Sequence, residues 1–520
     1  MKVRSWFGAM AIVATYAGIS GAIGAVSAAS RAIAAGAPAP ADTQIPARTL
    51  ASGSASPSGS GALIVLPDAT PLPVLGPSED APGLPLGYDL EPARGQGAEA
   101  SDQVGRLLEA LSGPLRGAYL LAHWRGLEGH ALGEFAFKYM TPRTLSRSFV
   151  GLSMPLRVFR ALPVLFPRRF PDPTFANFGF IRNPDDPAGL PLGLEAGGIS
   201  PRYVDFTCAA CHAATVDGKI AYGAPNAALR YGDLILSLDS ALTDSRFTLD
   251  RIEAAAETAA SRSLSVGEKA EISDWLRRRP FPHLTSAERA MIASWGPGRM
   301  DLAGAGFPTR IPSLYGARGL LNCDGSEAGL ANEVRYHLFL RGLAYQDLET
   351  SRANRLVSAL VSYVRSLRPP ASDDFEPRGV LLRGKRIFDE NCASCHVQRA
   401  NQVLPLEMVG TDDKRFRQDS ALSQLFLGWS GVRGLRVRLW PMVEVPPLEG
   451  LWFRTALLHN GSVQTLDDLL TPPDDRPPVF ARAGSVFDTR RPGNSNRGHD
   501  FGTHLDPWDK AALIAYLRSL

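Results

Sequence analysis

Two copies of one short cysteine and histidine pattern are the residues of this sequence best suited to chemistry. The copies are Cys208-Ala-Ala-Cys211-His212 and Cys392-Ala-Ser-Cys395-His396, which use four of the five cysteines. C-x-x-C-H is the attachment pattern of c-type haem, in which both thiols bond to the haem and the histidine ligates the iron. A zinc site would need four ligands per site, and a thioredoxin-like motif would need neither a second copy nor the histidine. The sequence therefore predicts two covalently attached haems, with His212 and His396 as proximal iron ligands.

The residues available as a sixth ligand differ between the two haems. After the first motif no histidine occurs until His283, and no methionine lies between Met154 and Met291. Electron carriers usually close both axial positions of the haem iron, whereas enzymes leave one open for oxygen or peroxide. We therefore expect an open or weakly occupied position at the first haem, with His283, Met300 and His337 as distant alternatives.

The second haem has a better candidate in His499. This histidine lies in a glycine-rich polar loop, residues 493–503, just before the last amphipathic segment. Flexible backbone on both sides of one histidine is what a loop approaching a haem face requires. His504 and Met442 are the competing candidates, whereas His459 is expected to be a hydrogen-bonded turn residue.

The N-terminus has the pattern of an export signal. Lys2 and Arg4 precede an apolar stretch from residue 7 to residue 23, and Val26-Ser27-Ala28 fits a cleavage site. An uncleaved membrane anchor is the alternative, because apolar and small residues continue to Ala29, close to the length that spans a bilayer. Since c-type haem is attached outside the cytoplasm, we expect a periplasmic or secreted protein.

Composition limits the remaining choices. The 520 residues are enough for two or three domains, and a formal net charge of +3 gives no reason to expect a nucleic-acid partner. The 50 glycines and 41 prolines suit a haem protein with long irregular loops.

Three blocks of sequence recur in the same order after each motif. Residues 311–316 (IPSLYG) and 445–450 (VPPLEG) correspond, as do the turns that follow them and the helices predicted to end at Leu367 and Leu520. A predicted helix from Gly379 to Asn391 leads into the second motif. We therefore predict a mainly α fold of two tandem cytochrome c-like haem domains, joined near the linker that begins at Arg368.

The predicted organisation has five parts. They are a signal peptide (1–28), a disordered linker (29–62), a mostly helical N-terminal extension (63–180), a first cytochrome c domain (181–370) and a second one (371–520).

With these blocks in hand, the chain resembles the di-haem cytochrome c peroxidase superfamily, and most closely the branch of rubber oxygenases and di-haem fatty-acid oxygenases. The resemblance is carried by residues 189–193 (GLPLG), 206–212 (FTCAACH), 295–298 (WGPG), 458–463 (LHNGSV) and 493–503 (GNSNRGHDFGT). It covers the chain from about residue 180 to the end.

The resemblance implies roles for individual residues. The first haem would bind the oxidant, and the second would relay electrons with His499 closing its iron. The branch places bulky apolar residues over the open haem, which implies catalytic positions for Phe307 and Trp295. Family members often hold a calcium ion between domains, although no acidic cluster identifies one here. The distal histidine and the methionine typical of the superfamily's peroxidases are missing after His212 and between Asn460 and Pro478.

These observations predict a haem-dependent oxidoreductase that activates O2 or H2O2 at the first haem and oxygenates a hydrophobic organic substrate. Two alternatives stay open: a cytochrome c peroxidase that reduces H2O2 with electrons from a small redox protein, and a di-haem electron carrier without catalytic activity.

Overall fold

The computed structural model describes parts of one compact unit, Ser56–Leu520. The described residues are 63–64, 120, 127–139, 154–184, 190–195, 203–278, 284–301, 307–317, 334, 351–372, 376–397, 403–417, 437–438 and 442–520. The predicted signal peptide and linker, His283 and His337 lie outside these ranges. Within these ranges, no helix combines the length and apolarity needed to cross a bilayer.

Helices form most of the regular structure in the described ranges, and short sheets accompany them. The helices are Gly129–Tyr139 (α1), Leu156–Leu165 (α2), Tyr231–Leu242 (α3), Leu249–Ala260 (α4), Val266–Arg278 (α5), Ser286–Ala293 (α6), Ser351–Ser366 (α7), Arg378–Asn391 (α8), Ala393–His396 (α9), Leu406–Val409 (α10), Lys414–Arg417 (α11), Leu466–Leu469 (α12) and Pro507–Arg518 (α13). The helices predicted to precede the second motif and to close each half are confirmed as α8, α7 and α13.

The strands are two to four residues long and pair only in antiparallel fashion in the described ranges. They are Leu63–Ile64 (β1), Met154–Pro155 (β2), Leu194–Glu195 (β3), Tyr203–Phe206 (β4), Ala213–Val216 (β5), Lys219–Tyr222 (β6), Arg299–Met300 (β7), Thr309–Arg310 (β8), Val403–Pro405 (β9), Val437–Arg438 (β10), Met442–Glu444 (β11), Val479–Arg482 (β12) and Ser485–Asp488 (β13). The order β2-β4-β3 makes one three-stranded sheet, and β1-β10, β5-β6, β7-β8, β9-β11 and β12-β13 are two-stranded.

Helices α1 and α7 cross at Gly133. A Cβ atom on this glycine would lie 2.0 Å from the carbonyl oxygen of Ala359 and 2.8 Å from Cβ of Tyr363. Because glycine has no side chain, the two backbones can approach this closely. Helix α1 falls within residues 63–180, which the sequence assigns to an extension, yet it shares a hydrophobic core with α7.

Helices α8 and α13 repeat the same arrangement at Gly384. A Cβ atom there would lie 2.0 Å from the carbonyl oxygen of Ala512 and 2.7 Å from Cβ of Tyr516. Each cysteine and histidine motif packs beside one helix pair. Cys208 contacts the core that contains α1 and α7, and Cys392 contacts the core that contains α8 and α13.

The crossing at Gly384 provides a stability prediction with a control in the same helix. Gly384→Ala should lower the free energy of unfolding by about 3 kcal/mol, because its methyl group would meet backbone that cannot move aside. Gly379→Ala should raise that free energy by about 0.5 kcal/mol through helix propensity, since nothing lies within 4 Å of its Cβ position. Urea unfolding of both variants measures the difference, and equal effects would contradict the close crossing.

The phenylalanine side chains that follow α1, in residues 154–184, belong to the hydrophobic core. Phe159 in α2 stacks on Phe175 with ring centres 4.4 Å apart, and Phe170 and Phe178 pack around Phe175. All four rings are buried in the cluster that also receives α3 to α6. Cys211 packs against this same cluster, so the first motif lies between two hydrophobic cores.

Candidate haem sites

The first motif is a tight turn held against the loop 189–193. The amide nitrogens of Cys211 and His212 both donate to the carbonyl of Cys208, at 3.3 and 3.0 Å. The carbonyl of Gly193 accepts from Thr207 at 2.9 Å, and a Cβ on Gly193 would lie 2.2 Å from Cα of Ala210. Gly193 has φ +89°, a conformation that favours glycine. The glycine therefore lets the preceding loop touch the backbone between the two cysteines.

This contact predicts an effect on haem attachment. Gly193→Ala should lower the haem bound at the first motif severalfold, because the methyl group displaces the loop or the motif. Gly218→Ala is the matched control, since Gly218 also has positive φ (+75°) but nothing lies within 4 Å of its Cβ position. The haem-to-protein ratio and a peptide map of the haem-bearing fragments measure the result. A loss of equal size in both variants would trace the effect to backbone strain alone.

Asn226 is a residue of the first site that the sequence analysis missed. Its side-chain amide donates to the carbonyl of Ala210 at 3.2 Å and to that of Gly179 at 3.0 Å, while its backbone nitrogen donates to Cys211 at 2.8 Å. The side chain is buried. An asparagine beside a proline is ordinary turn chemistry in a sequence, so nothing in the local pattern distinguishes this position.

An aromatic chain leads from the first motif to Trp295. Phe206, two residues before Cys208, lies edge-on to Tyr231 with ring centres 5.2 Å apart. Tyr231 in turn stacks on Trp295 at 6.0 Å with the planes 5° apart. Trp295 is fully buried in the hydrophobic core against which Cys211 packs, and its predicted catalytic role stays a prediction.

Met300 also lies in this hydrophobic core. It is buried in the same cluster as Trp295, and its strand β7 pairs with β8. Its position agrees with the packing role that the sequence analysis weighed against iron ligation.

One ring nitrogen of His396, in the second motif, lies at a backbone carbonyl. His396 ends α9, and its Nδ1 atom lies 3.3 Å from the carbonyl oxygen of Pro446. A histidine that donates one ring N–H to a backbone carbonyl is fixed in orientation, and its other nitrogen is left to bind a metal. Burial lowers the pKa of His396, which keeps the ring neutral as ligation requires.

The ring of His499 lies near that of His396, at a separation that one metal ion between them would require. The two ring centres are 6.4 Å apart and the ring planes differ by 54°. A metal–imidazole bond is about 2 Å long and a ring nitrogen lies about 1.1 Å from its ring centre, so two imidazoles on one metal have centres about 6 Å apart. The observed distance therefore fits an iron between these two rings.

The environment of both histidines also fits a large buried cofactor. Both side chains are half-buried, although the surrounding protein desolvates them. Burial and the neighbouring His396 lower the pKa of His499 to about 4, which favours the neutral ring. Its Nδ1 atom is buried without a hydrogen-bond partner in the described part of the chain. Both rings keep some exposed surface, which a bound haem would cover.

The backbone of His499 has an unusual conformation. Its φ is +55°, in the left-handed region, and its nitrogen donates to the carbonyl of Val409 at 2.7 Å. The preceding Gly498 has φ +85°, and a Cβ on it would lie 2.4 Å from the carbonyl carbon of Gly410. Non-glycine residues with positive φ are uncommon and often occur at functional sites.

The two competing candidates, His504 and Met442, belong to other elements of the chain. His504 is exposed, in a turn before α13. Met442 begins β11, where it pairs with Pro405. His499 is the candidate whose ring centre lies 6.4 Å from that of His396.

Phe307 lies beside the ligand loop of the second motif. The Cδ1 atom of its half-buried ring is 2.3 Å from the position of a Cβ on Gly493, so the ring presses on the start of that loop. Its carbonyl accepts from Arg415, which also forms a buried ion pair with Asp301 at 2.9 Å. The position of Phe307 over the open haem, which the resemblance implies, stays a prediction, and the structure places its ring against the loop at residue 493.

Three arginines hold the turn that contains His459. The side chains of Arg299, Arg310 and Arg482 donate to carbonyls of residues 460, 458 and 461, at 3.3, 2.9 and 2.6 Å. Burial and nearby arginines lower the pKa of His459 to about 3. Its Nδ1 atom lies 3.3 Å from the hydroxyl of Thr411. The turn role expected of His459 agrees with this geometry, whereas the arginines were not predicted.

A calcium site is not indicated by the described residues. In the ranges that the structure covers, no group of three or more histidine, cysteine, aspartate or glutamate side chains is arranged to hold a metal ion.

A comparison with known families locates a cytochrome-like segment in this region. Residues 444–481 match a family described as RoxA-like, cytochrome c-like. This segment contains Pro446, whose carbonyl contacts His396, and the turn of His459.

Two curated relatives occur in Sinorhizobium fredii, and both are described as uncharacterized proteins. The chain is 42% identical to y4iJ over 101 residues, which is 14% of this chain and 17% of that protein. It is 27% identical to y4iM over 218 residues, which is 36% of this chain and 49% of that protein. The chain thus spans less than half the length of either relative. What the comparisons identify is a RoxA-like, cytochrome c-like segment at residues 444–481, which suggests a haem-containing redox role.

Proposed function

We propose that this chain is a periplasmic or secreted di-haem c-type cytochrome that acts as an oxidoreductase. One haem would be attached at each motif, within a cytochrome c-like unit built on one glycine-crossed helix pair. The observation that supports this most directly is the 6.4 Å separation of the His396 and His499 rings. It fits an iron closed on both sides at the second haem, which is the state of an electron-relay site.

The first haem, with His212 as its proximal ligand, is the proposed site of reaction. A c-type haem with one open axial position supplies activation of O2 or peroxide. The chain contributes the proximal histidine, fixed by the turn of the motif and by Asn226. The packed rings of Phe206, Tyr231 and Trp295 make the protein behind the first motif apolar, which would keep water out of that side of the site.

The preferred reaction is oxygenation of a hydrophobic organic substrate. Heterolysis of peroxide normally uses a positioned proton donor. No histidine occurs between His212 and His283, so the sequence offers no nearby histidine for that role. The apolar core beside the first motif is the specific observation that favours oxygenation over reduction of H2O2 by a small redox protein.

Spectroscopy of the oxidised and reduced protein tests the proposal. We expect one high-spin and one low-spin haem per chain, and rapid CO binding to only one of them after reduction. Two low-spin haems that bind neither CO nor cyanide would instead identify an electron carrier. Oxygen uptake with an unsaturated lipid or polyisoprene, compared with H2O2 turnover by a reduced cytochrome, separates the two enzymatic functions.

A further inference from the structure

The guanidinium group of Arg476 lies inside the loop that carries His499. Its Nη1 atom donates to the carbonyls of Asn496 and Gly498, the latter at 2.8 Å. Its Nη2 atom donates to the backbone carbonyl of His499 at 3.1 Å and to that of Leu469, at the end of α12, at 2.9 Å.

The third nitrogen of Arg476 completes the contact with α12 and the turn after it. Its Nε atom lies 3.1 Å from the carbonyl of Asp468 and 3.0 Å from that of Thr471. Every nitrogen of the guanidinium is therefore bonded to backbone carbonyls. The side chain is 4% exposed. Burial lowers the pKa of Arg476. Removing a charge from water costs free energy, which these hydrogen bonds to carbonyls offset.

Two sets of hydrogen bonds hold the ligand loop. Arg476 donates to the carbonyls of residues 496, 498 and 499, and the backbone nitrogen of His499 donates to the carbonyl of Val409. The residue held between them has φ +55°, which a non-glycine residue does not readily keep without support. Removing one side of this support should let the backbone relax and withdraw the imidazole.

We propose that Arg476 is the positioning residue that keeps His499 on the iron of the second haem. Arg476 does not touch the iron or the imidazole ring in this scheme; it fixes the backbone from which the ring projects. The inference rests on the proposed function, since it requires His499 to be the sixth ligand.

The test is the rate at which CO adds to the second haem of the reduced holoprotein. CO can bind there only after His499 leaves, so this slow phase reports how firmly the loop holds the ligand. Arg476→Gln should accelerate the slow phase at least tenfold, and the fast phase at the first haem should not change. Arg476→Lys, which keeps the charge but offers fewer fixed donors, should fall between Arg476→Gln and wild type.

Two controls separate positioning from general destabilisation. Arg497→Gln alters an exposed arginine of the same loop, whose ion pair with Asp474 is also exposed, and should change the CO rate less than twofold. Ile272→Ala removes a fully buried side chain from the cluster of α3 to α6, which does not include Cys392, and should lower the melting temperature. It should leave the slow phase within twofold of wild type.

The outcomes distinguish failure of the positioning role from failure of the proposed function. A slow phase unchanged in Arg476→Gln, or accelerated equally in Ile272→Ala, overturns the positioning role while leaving the ligation scheme intact. If His499→Ala itself leaves the second haem low spin, the ligation scheme fails, and the role of Arg476 fails with it.

Discussion

Replacement of His499 by alanine is expected to convert the second haem from low spin to high spin and leave the first haem unchanged. The variant loses one of two imidazoles whose centres are 6.4 Å apart, and alanine cannot bridge that distance to an iron. Low-temperature spectra of the oxidised protein measure the spin states. After reduction, the number of rapidly bound CO molecules per chain should rise from one to two. Added imidazole should restore the low-spin signal, because the space left by the ring remains.

His504→Ala is the control for this experiment. His504 is exposed and lies five positions further along the same part of the chain. Its removal should leave both spectra as in wild type. If the His499 variant keeps its low-spin signal and the His504 variant loses it, His504 and not His499 is the ligand.

His499 could be chosen as a candidate ligand from the sequence, but its position relative to His396 could not. Glycines on both sides of His499 indicated a loop that could approach a haem face. The distance to His396 depends on how residues more than 100 positions apart fold together, which no local pattern records. The same holds for the carbonyl of Pro446, since any backbone carbonyl can accept a hydrogen bond.

The helix pairs show the same difference between local and distant information. Helix α8 could be predicted because its apolar positions recur at helical spacing and lead into Cys392. The contact of α1 with α7 could not, because Gly133 and Ala359 are far apart in sequence. The limits of the two predicted domains stay predictions, and the position of α1 is the reason to test whether the first unit begins earlier than residue 181.

Buried arginines were the largest omission of the sequence analysis. Arginine is mostly exposed in folded proteins, so a sequence gives no reason to place Arg299, Arg476 or Arg482 inside. In the structure all three side chains are buried and donate to carbonyls of turns near His459 or His499. Such irregular turns lack the internal hydrogen bonds of helices, and buried carbonyls there need another donor. The signal was therefore the glycine- and proline-rich composition of these loops, not the arginines themselves.

Removal of one pair of motif cysteines is expected to remove one haem and to reveal the state of the other. The variant Cys392→Ser/Cys395→Ser should carry a single haem that is high spin and binds CO rapidly. The variant Cys208→Ser/Cys211→Ser should carry a single haem that is low spin and binds CO slowly. The physical reason is that the two motifs pack against different hydrophobic cores, around α1 and α7 in one case and α8 and α13 in the other.

The haem content and the intact mass of each purified variant measure the loss, and the spectra assign the haem that remains. Cys211 also touches the cluster that contains Trp295, so the first pair is the more sensitive of the two to misfolding. Single Cys211→Ser is the milder companion variant, because one thioether can still retain the haem. If both double variants keep a haem of the same spin state, the division into one open and one closed iron is wrong, and with it the assignment of reaction to the first motif and relay to the second.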